Sequence, residues 1–292
     1  MIRRAFAFHA PTTLTDALHL LSQYGAEAKL LAGGQSLVPV LNLGLSSPAH
    51  IISLNRLRDL SYIREEEREV TIGALTCHRV LERSAVLTAR CPILAETAGH
   101  IGDIQVRNRG TIGGSVCHFD PAADYPSVLL LLGARFRLAG PAGERIVEAR
   151  NYFVDYMTTC LRSDEILLEV RVPILPPGTG SAYSKFARVE GGFAIVGVGA
   201  YLVCHPDRTC QEVRVGIGGA TSVPLRLTAI EEALPGRKID ERFIGDVAEA
   251  AYEAAAQPTA ELHADGAYKR EMVRVFTRRA LSTALARALP KG

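Results

Sequence analysis

Ala32-Gly33-Gly34-Gln35-Ser36-Leu37 and Thr111-Ile112-Gly113-Gly114-Ser115 are the two stretches on which the reading of this chain turns. The first follows a short apolar run, and both put glycines where a backbone can approach an anion closely. Glycine tolerates positive φ, so consecutive N–H groups can turn inward and form an anion-binding concavity. Two such loops in one chain point to a pyrophosphate and hence to a dinucleotide. Lys29-Leu30-Leu31 before the first loop reads as a strand, and Leu37-Val38-Pro39-Val40-Leu41 after it as the start of a helical turn. In that order the N–H groups of Gly33 to Ser36 face a ligand, with a helical N-terminus behind them and the Ser36 hydroxyl as a further donor. The loop is neither G-x-G-x-x-G nor G-x-x-x-x-G-K-[ST], since no lysine follows the glycines, so neither of those mechanisms transfers. Taken alone, a Gly-Gly after a strand also suits a plain tight turn.

Working outward, Thr13-Leu14-Thr15-Asp16 starts a helix with a threonine cap and an early acid; Leu14, Ala17, Leu18 and Leu21 form its stripe and Gly25 ends it. Residues 51–54 and 70–73 read as strands, Cys77 to Leu87 as one short helix and Pro92 to Ile101 as another. Ser127 to Leu132 is an apolar helical run, and Arg135 to Leu138 and Ile166 to Val172 supply strands rich in branched residues. Pro173-Ile174-Leu175-Pro176-Pro177-Gly178-Thr179-Gly180 can continue neither a helix nor a central strand, and marks a domain boundary. Beyond it lie strand-like runs at Ala182 to Val189, Ala194 to Val203 and Glu212 to Ile217, then helix from Leu227 onward. In the last helix Met272, Val273, Phe276, Ala280 and Ala284 recur at core spacing. The class is α+β, with a three-stranded antiparallel sheet packed on helices at the C-terminal end.

Composition removes several alternatives. A chain of 292 residues, 48% hydrophobic, has length for about two domains. Its net charge of +2 leaves no basic footprint for nucleic acid. No apolar run approaches the ~20 residues of a membrane span, and the segment after Arg3-Arg4 is too short for a secretion signal, so the expected location is cytoplasmic. Cys77, Cys91, Cys117, Cys160, Cys204 and Cys210 show no C-x-x-C spacing, which argues for reduced thiols and against a cluster or zinc site. The Cys77-His78 and Cys117-His118 pairs are adjacent residues whose side chains diverge, so no metal is expected. Neither glycine stretch completes a G-x-S-x-G elbow.

Gln105-Val106-Arg107-Asn108-Arg109-Gly110 leads into the second glycine stretch and Asp120-Pro121-Ala122-Ala123-Asp124 follows it. With these flanks, residues 32–37 and 104–126 resemble the two flavin-loop signatures of the medium, FAD-binding subunit of the molybdenum hydroxylases, the family of xanthine dehydrogenase and aerobic carbon monoxide dehydrogenase. The resemblance continues through Ile51-Ile52-Ser53-Leu54-Asn55-Arg56, Asp164-Glu165-Ile166-Leu167, Lys185-Phe186-Ala187-Arg188 and Val215-Gly216-Ile217-Gly218-Gly219. It implies a two-part FAD domain of the vanillyl-alcohol-oxidase (PCMH) type over residues 1–176, divided near 56, and a smaller flavoprotein domain over 177–292.

Carried over residue by residue, the resemblance places Ala32, Gly33, Gly34, Gln35, Ser36 and Leu37 on one side of the FAD pyrophosphate. Thr111, Ile112, Gly113, Gly114 and Ser115 lie on the other side. Asp124 would accept bonds from sugar or ribityl hydroxyls. Ile101, Leu167 and Lys185 match flavin contacts, the lysine offering positive charge near the ring's N1–C2 region. Phe193 either covers the isoalloxazine or is an ordinary core aromatic. Arg107, Asn108 and Arg109 either touch phosphate or form a solvated or partner-facing turn. Gln35 stands where some carbon monoxide dehydrogenases have histidine, and Cys117-His118-Phe119 occupies a stretch that often holds smaller residues. The implied role is electron transfer with no catalytic residue on this chain. Electrons come from molybdenum pterin on a large subunit through two [2Fe–2S] clusters of a small one, within a heterotrimer that doubles. A self-contained flavin oxidase and a non-enzymatic nucleotide scaffold are the alternatives. The substrate and final acceptor are not written in this chain.

Overall fold

The computed structural model describes residues 4–262 and 264–289, so Arg3 lies outside the described residues. The N-terminal part is β1 (Ala7–His9), α1 (Leu14–Tyr24), β2 (Ala28–Leu31), α2 (Leu37–Leu43) and β3 (His50–Ser53). Its three strands pair in parallel in the order β1-β3-β2. Thr13 caps α1 by accepting from the Asp16 N–H at 3.1 Å, and Gly25 closes it with φ +48°. Both ends are where the sequence puts them.

The next part runs β4 (Ile63–Glu65), β5 (Glu69–Gly73), α3 (His78–Glu82), α4 (Ala85–Arg90), α5 (Pro92–Gly99), α6 (Ile104–Arg109), α7 (Ile112–His118) and α8 (Tyr125–Leu132). It ends with β6 (Arg135–Gly140), β7 (Gly143–Glu148), α9 (Ala149–Tyr152), β8 (Phe153–Asp155), β9 (Thr158–Thr159) and β10 (Ile166–Pro173). An antiparallel five-stranded sheet in the order β4-β5-β10-β6-β7 holds it together. Two readings of the sequence are corrected here. Residues 77–87 are not one helix, because Ser84 turns out of α3 and caps α4 through the Leu87 N–H. Residues 111–115 are not a loop: Thr111 is the cap and the glycines form the first turn of α7.

Central strand β10 is buried on both faces, as an almost unbroken apolar run requires. Ile166 and Leu168 pack with Ala17, Leu21 and Ile52 under the parallel sheet, whereas Leu167, Val170 and Val172 join the core beneath α5, α7 and α8. A register shift between Leu167 and Glu169 moves Val170 and Val172, which strict alternation would place with Ile166 and Leu168, onto the face of Leu167; such bulges re-aim side chains.

The C-terminal part is β11 (Gly180–Phe186), β12 (Val196–Cys204), β13 (Cys210–Gly218), β14 (Leu225–Arg226), α10 (Thr228–Ala233), α11 (Glu241–Ala254) and α12 (Gly266–Ala288). The three expected strands form an antiparallel meander, to which the two residues of β14 add a short edge. Val273, Phe276, Ala280 and Ala284 of α12 are buried against this sheet, as plain core. The sheet's other face meets α8. It can do so because β12 and β13 carry glycine there: a Cβ on Gly199 would press on Leu131 and Val128 at 3.0 and 3.2 Å, and one on Gly216 would overlap the Ser127 carbonyl. The two domains are further tied by Arg287, which forks onto Glu96 at 2.8 and 3.0 Å and also reaches the Ser181 carbonyl at 2.6 Å.

Candidate cofactor site

A cleft of about 620 Å³ opens between the parallel sheet, α7 and the start of the C-terminal domain. The sequence-derived residues Ala32, Gly33, Gly34, Gln35, Ser36, Leu37, Ile101, Thr111, Gly113, Gly114, Ser115, Asp124, Leu167 and Phe193 all line it. Ile112 and Lys185 do not. Ile112 is fully buried in the core below, and Lys185 faces a smaller hollow beside the cleft.

The two glycine stretches divide their work. After β2 the chain turns at Gly34 with φ +78° and enters α2. Among the described residues the backbone N–H groups of Gly33, Gly34, Gln35 and Ser36 donate to nothing within the chain. Unspent donors lining a cleft are what an anion needs, and folded chains rarely leave such groups without a partner. In the second stretch the four N–H groups from Ile112 to Ser115 are all used. Ile112 N–H goes to the Thr76 carbonyl at 3.1 Å and Gly113 N–H to that of Ala74 at 2.9 Å. Gly114 N–H goes to Thr111 Oγ1 at 3.0 Å and Ser115 N–H to the Thr111 carbonyl at 3.0 Å. The expectation that the glycine stretch bares consecutive N–H groups to phosphate is therefore corrected for Ile112 to Ser115. Their glycines serve close approach: a Cβ on Gly113 would stand 2.6 Å from Ala74 Cβ.

Asp124 is buried on the cleft wall, yet it is the cap residue of α8 and caps nothing. Its Oδ1 accepts from the Tyr183 hydroxyl at 2.7 Å and its Oδ2 from Lys185 Nζ at 2.9 Å; Lys185 also donates to the His100 carbonyl at 3.0 Å. Burial lifts the Asp124 carboxyl above the usual carboxylate range, and the Lys185 ammonium pulls it back. Each carboxylate oxygen retains a lone pair for a ligand hydroxyl.

Phe193 is 63% exposed, so the alternative of a core aromatic falls and the ring stands at the rim of the cleft. Arg107 is spent inside the chain, on Glu82 at 3.1 Å and on the Ile101 and Gly102 carbonyls at 3.1 and 2.7 Å, while Asn108 and Arg109 are exposed. His78, Cys117, His118, Asp120 and Met157 line the cleft without having been singled out as ligands. A helical reading of residues 112–118 would have found two of them, because Gly114, Cys117 and His118 fall at i, i+3 and i+4 on one helix face. Met157 comes from the turn between β8 and β9, and carries no local signal. Burial and the nearby Arg107 charge hold the His78 imidazole down at about 4, so it is neutral where its Nδ1 meets the Tyr125 hydroxyl at 3.1 Å. Among the described residues no cluster of three or more His, Cys, Asp or Glu could hold a metal, and no helix is long and apolar enough to cross a membrane.

A cleft with unspent backbone donors at one end and a buried carboxylate on its wall, roofed by a second domain, defines a dinucleotide-binding protein. Residues 4–175 match the family model described as the FAD binding domain in molybdopterin dehydrogenase, and residues 181–284 that of the CO dehydrogenase flavoprotein C-terminal domain. The chain belongs to this family, the FAD-binding medium subunits of molybdenum hydroxylases of the carbon monoxide dehydrogenase and xanthine dehydrogenase type. It is 39% identical over 287 residues to the carbon monoxide dehydrogenase medium chain of Hydrogenophaga pseudoflava, covering 98% of this chain and 99% of that one. It is 35% identical to subunit alpha of the 6-hydroxypseudooxynicotine dehydrogenase complex of Paenarthrobacter nicotinovorans, covering 98% and 96%. The solved structure of the Hydrogenophaga pseudoflava carbon monoxide dehydrogenase that lacks the Mo-pyranopterin moiety superimposes with a TM-score of 0.95 at 40% identity, covering 98% and 99%.

Proposed function

We propose that this chain holds FAD in the cleft, receives electrons from the [2Fe–2S] clusters of a small subunit and passes them to an external acceptor. The observation that carries the reading is the set of four unspent N–H groups from Gly33 to Ser36 at one end of a cleft whose wall presents Asp124. Gly33 to Ser36 bind the pyrophosphate, with the Ser36 hydroxyl beside them. Thr111, Gly113, Gly114 and Ser115 shape the opposite wall, Ile112 anchors that wall from below, and Asp124 accepts a hydroxyl of the sugar or ribityl chain. Ile101 and Leu167 give the ring an apolar bed, and Phe193 at the rim shields it from water. Lys185 acts on the cleft through Asp124, since its ammonium is bonded there. Bound FAD supplies the capacity to store two electrons delivered singly.

The same reading divides the chain into a FAD domain over residues 1–176, split near 56, and a flavoprotein domain over 177–292. It places the chain with a molybdenum-pterin large subunit in a cytoplasmic heterotrimer that doubles. The relatives' names differ in substrate, carbon monoxide in one and 6-hydroxypseudooxynicotine in another, and this reading assigns substrate choice to the molybdenum-bearing large subunit.

The test is the visible spectrum and metal content of the chain purified with its partners, followed by mass identification of whatever acid releases. An oxidised flavin spectrum, one FAD per chain and stoichiometric iron and molybdenum are expected. An intact complex without FAD overturns the reading, and substrate-dependent bleaching of the lone chain would make it a self-contained oxidase.

A further inference from the structure

Strand β11 alternates between two tasks. Ala182 and Phe186 point into the core under α12, so Ser181, Tyr183 and Lys185 share the opposite face, toward the FAD domain. On that face Tyr183 is fully engaged. Its backbone N–H donates to Glu96 Oε2 at 3.2 Å, its ring meets His100 edge-on at 5.7 Å between centroids, and its hydroxyl donates to Asp124 Oδ1 at 2.7 Å. The hydroxyl reaches Asp124 by crossing over Gly197 of the neighbouring strand. A Cβ at 197 would overlap that hydroxyl and stand 3.1 Å from the ring Cζ. Gly197 has an ordinary φ, so space rather than backbone freedom is what glycine provides there.

Asp124 shows what this contact accomplishes. Asp103, Asp240 and Asp265 occupy the same cap position on their helices, and each turns its carboxylate back onto its own helix, to the N–H of Val106, Phe243 and Tyr268 at 2.8 Å. Asp124 differs from these three: its backbone is already helical, φ −75° and ψ −39°, where theirs is extended, and its carboxylate goes to Tyr183 and Lys185. Without those two donors the buried carboxylate would have no hydrogen-bond partner among the described residues, and a buried charge without partners is costly.

We propose that Tyr183 is a positioning residue for the cofactor cleft: seated in the space left by Gly197, its hydroxyl joins Lys185 in holding the Asp124 carboxylate on the cleft wall. The FAD domain by itself lacks this hold, because both donors come from the C-terminal domain; a complete cofactor site requires the two domains together. This inference rests on the reading of the cleft as an FAD site.

The test is the FAD dissociation constant of the purified complex, measured by equilibrium dialysis. Tyr183→Phe is expected to weaken FAD about tenfold, the loss of one hydrogen bond to a charged group, and Gly197→Ala to do the same by displacing the hydroxyl. In an Asp124→Asn background Tyr183→Phe should add less than twofold, because the tyrosine acts through that carboxylate. Equal affinity in wild type and Tyr183→Phe overturns the proposal. So does a Tyr183→Phe loss that persists undiminished in the Asp124→Asn background, which marks a role in packing alone. A wild-type complex that holds no FAD overturns the underlying reading instead.

Discussion

Gly33 lies flat against Arg109: a Cβ on Gly33 would overlap the Arg109 carbonyl oxygen and stand 2.8 Å from both its carbonyl carbon and Gly110 Cα. The two glycine-bearing segments thus touch backbone to backbone, and the free N–H groups of the first are held against the frame of the second. Gly33→Ala must push two main chains apart. We expect it to cost about 1–3 kcal/mol in urea unfolding and to empty the cleft of cofactor. Gly34→Ala meets only the ends of Val38 and Leu31 at 3.2 and 3.4 Å. Its expected cost is about 1–2 kcal/mol for the left-handed backbone, with partial retention of FAD. Equal FAD contents for the two variants would contradict this account.

Gly216 is the point where α8 crosses the C-terminal sheet. A side chain there would overlap the Ser127 carbonyl and stand 2.9 Å from Leu131 Cβ, and neither can yield without moving the helix. Gly216→Ala is expected to lower stability by about 1–3 kcal/mol. Because Asp124 is the cap residue of α8, the variant should also weaken FAD binding. Calorimetry of the cofactor-free and loaded forms separates the two effects.

His78 ties stability to pH. Its imidazole takes up a proton near 4 in the folded chain, against the ordinary 6.5, because it is buried and faces the Arg107 charge. The unfolded chain therefore binds the proton more readily. The stabilisation from this group is complete above pH 6.5 and is lost as pH falls to about 4, a total of roughly 3 kcal/mol. His78→Asn keeps an acceptor for the Tyr125 hydroxyl and cannot take the proton. Its stability should be flatter than wild type between pH 6.5 and 4 in urea titrations, and a parallel pair of curves would refute the assignment.

Glu165 behaves in the related carboxylate sense. Arg145 forks onto it at 2.6 and 2.7 Å and anchors the Cys160 carbonyl at 2.9 Å. This guanidinium holds the Glu165 carboxyl below the usual carboxylate range. The stabilisation is present above the ordinary glutamate value and disappears as pH falls through the depressed one. Arg145→Met should shift the acid-unfolding midpoint, followed by circular dichroism, toward higher pH.

Much of the architecture was legible because it is written locally. Thr13 and Gly25 bound α1 by chemistry that acts within four residues, and the prolines of 173–177 stop β10 because a residue without an N–H cannot extend a ladder. The α12 stripe and the apolar run of β10 follow from periodicity alone. The break at Ser84 was missed because a serine inside an apolar pattern reads equally as helix interior or cap until its hydroxyl finds the Leu87 N–H.

The sequence by itself marked residues that line the cleft: the glycines at 33, 34, 113 and 114 and Thr111 from their stretches, and the acid at 124 and the aromatic at 193 through the family resemblance. Residue type and spacing fix conformational freedom and donor inventory without reference to distant partners. The tertiary structure alone decided which of those groups remain available. The N–H groups of Ile112 and Gly113 are consumed by Thr76 and Ala74 just after β5, while those of Gly33 to Ser36 meet no carbonyl among the described residues. It likewise decided that Lys185 reaches the cleft only through Asp124 and that Phe193 stands at its rim rather than in the core. A hydrogen bond or an ion pair is settled by which groups far apart in the chain come within 3 Å of each other, and local sequence carries no record of that distance.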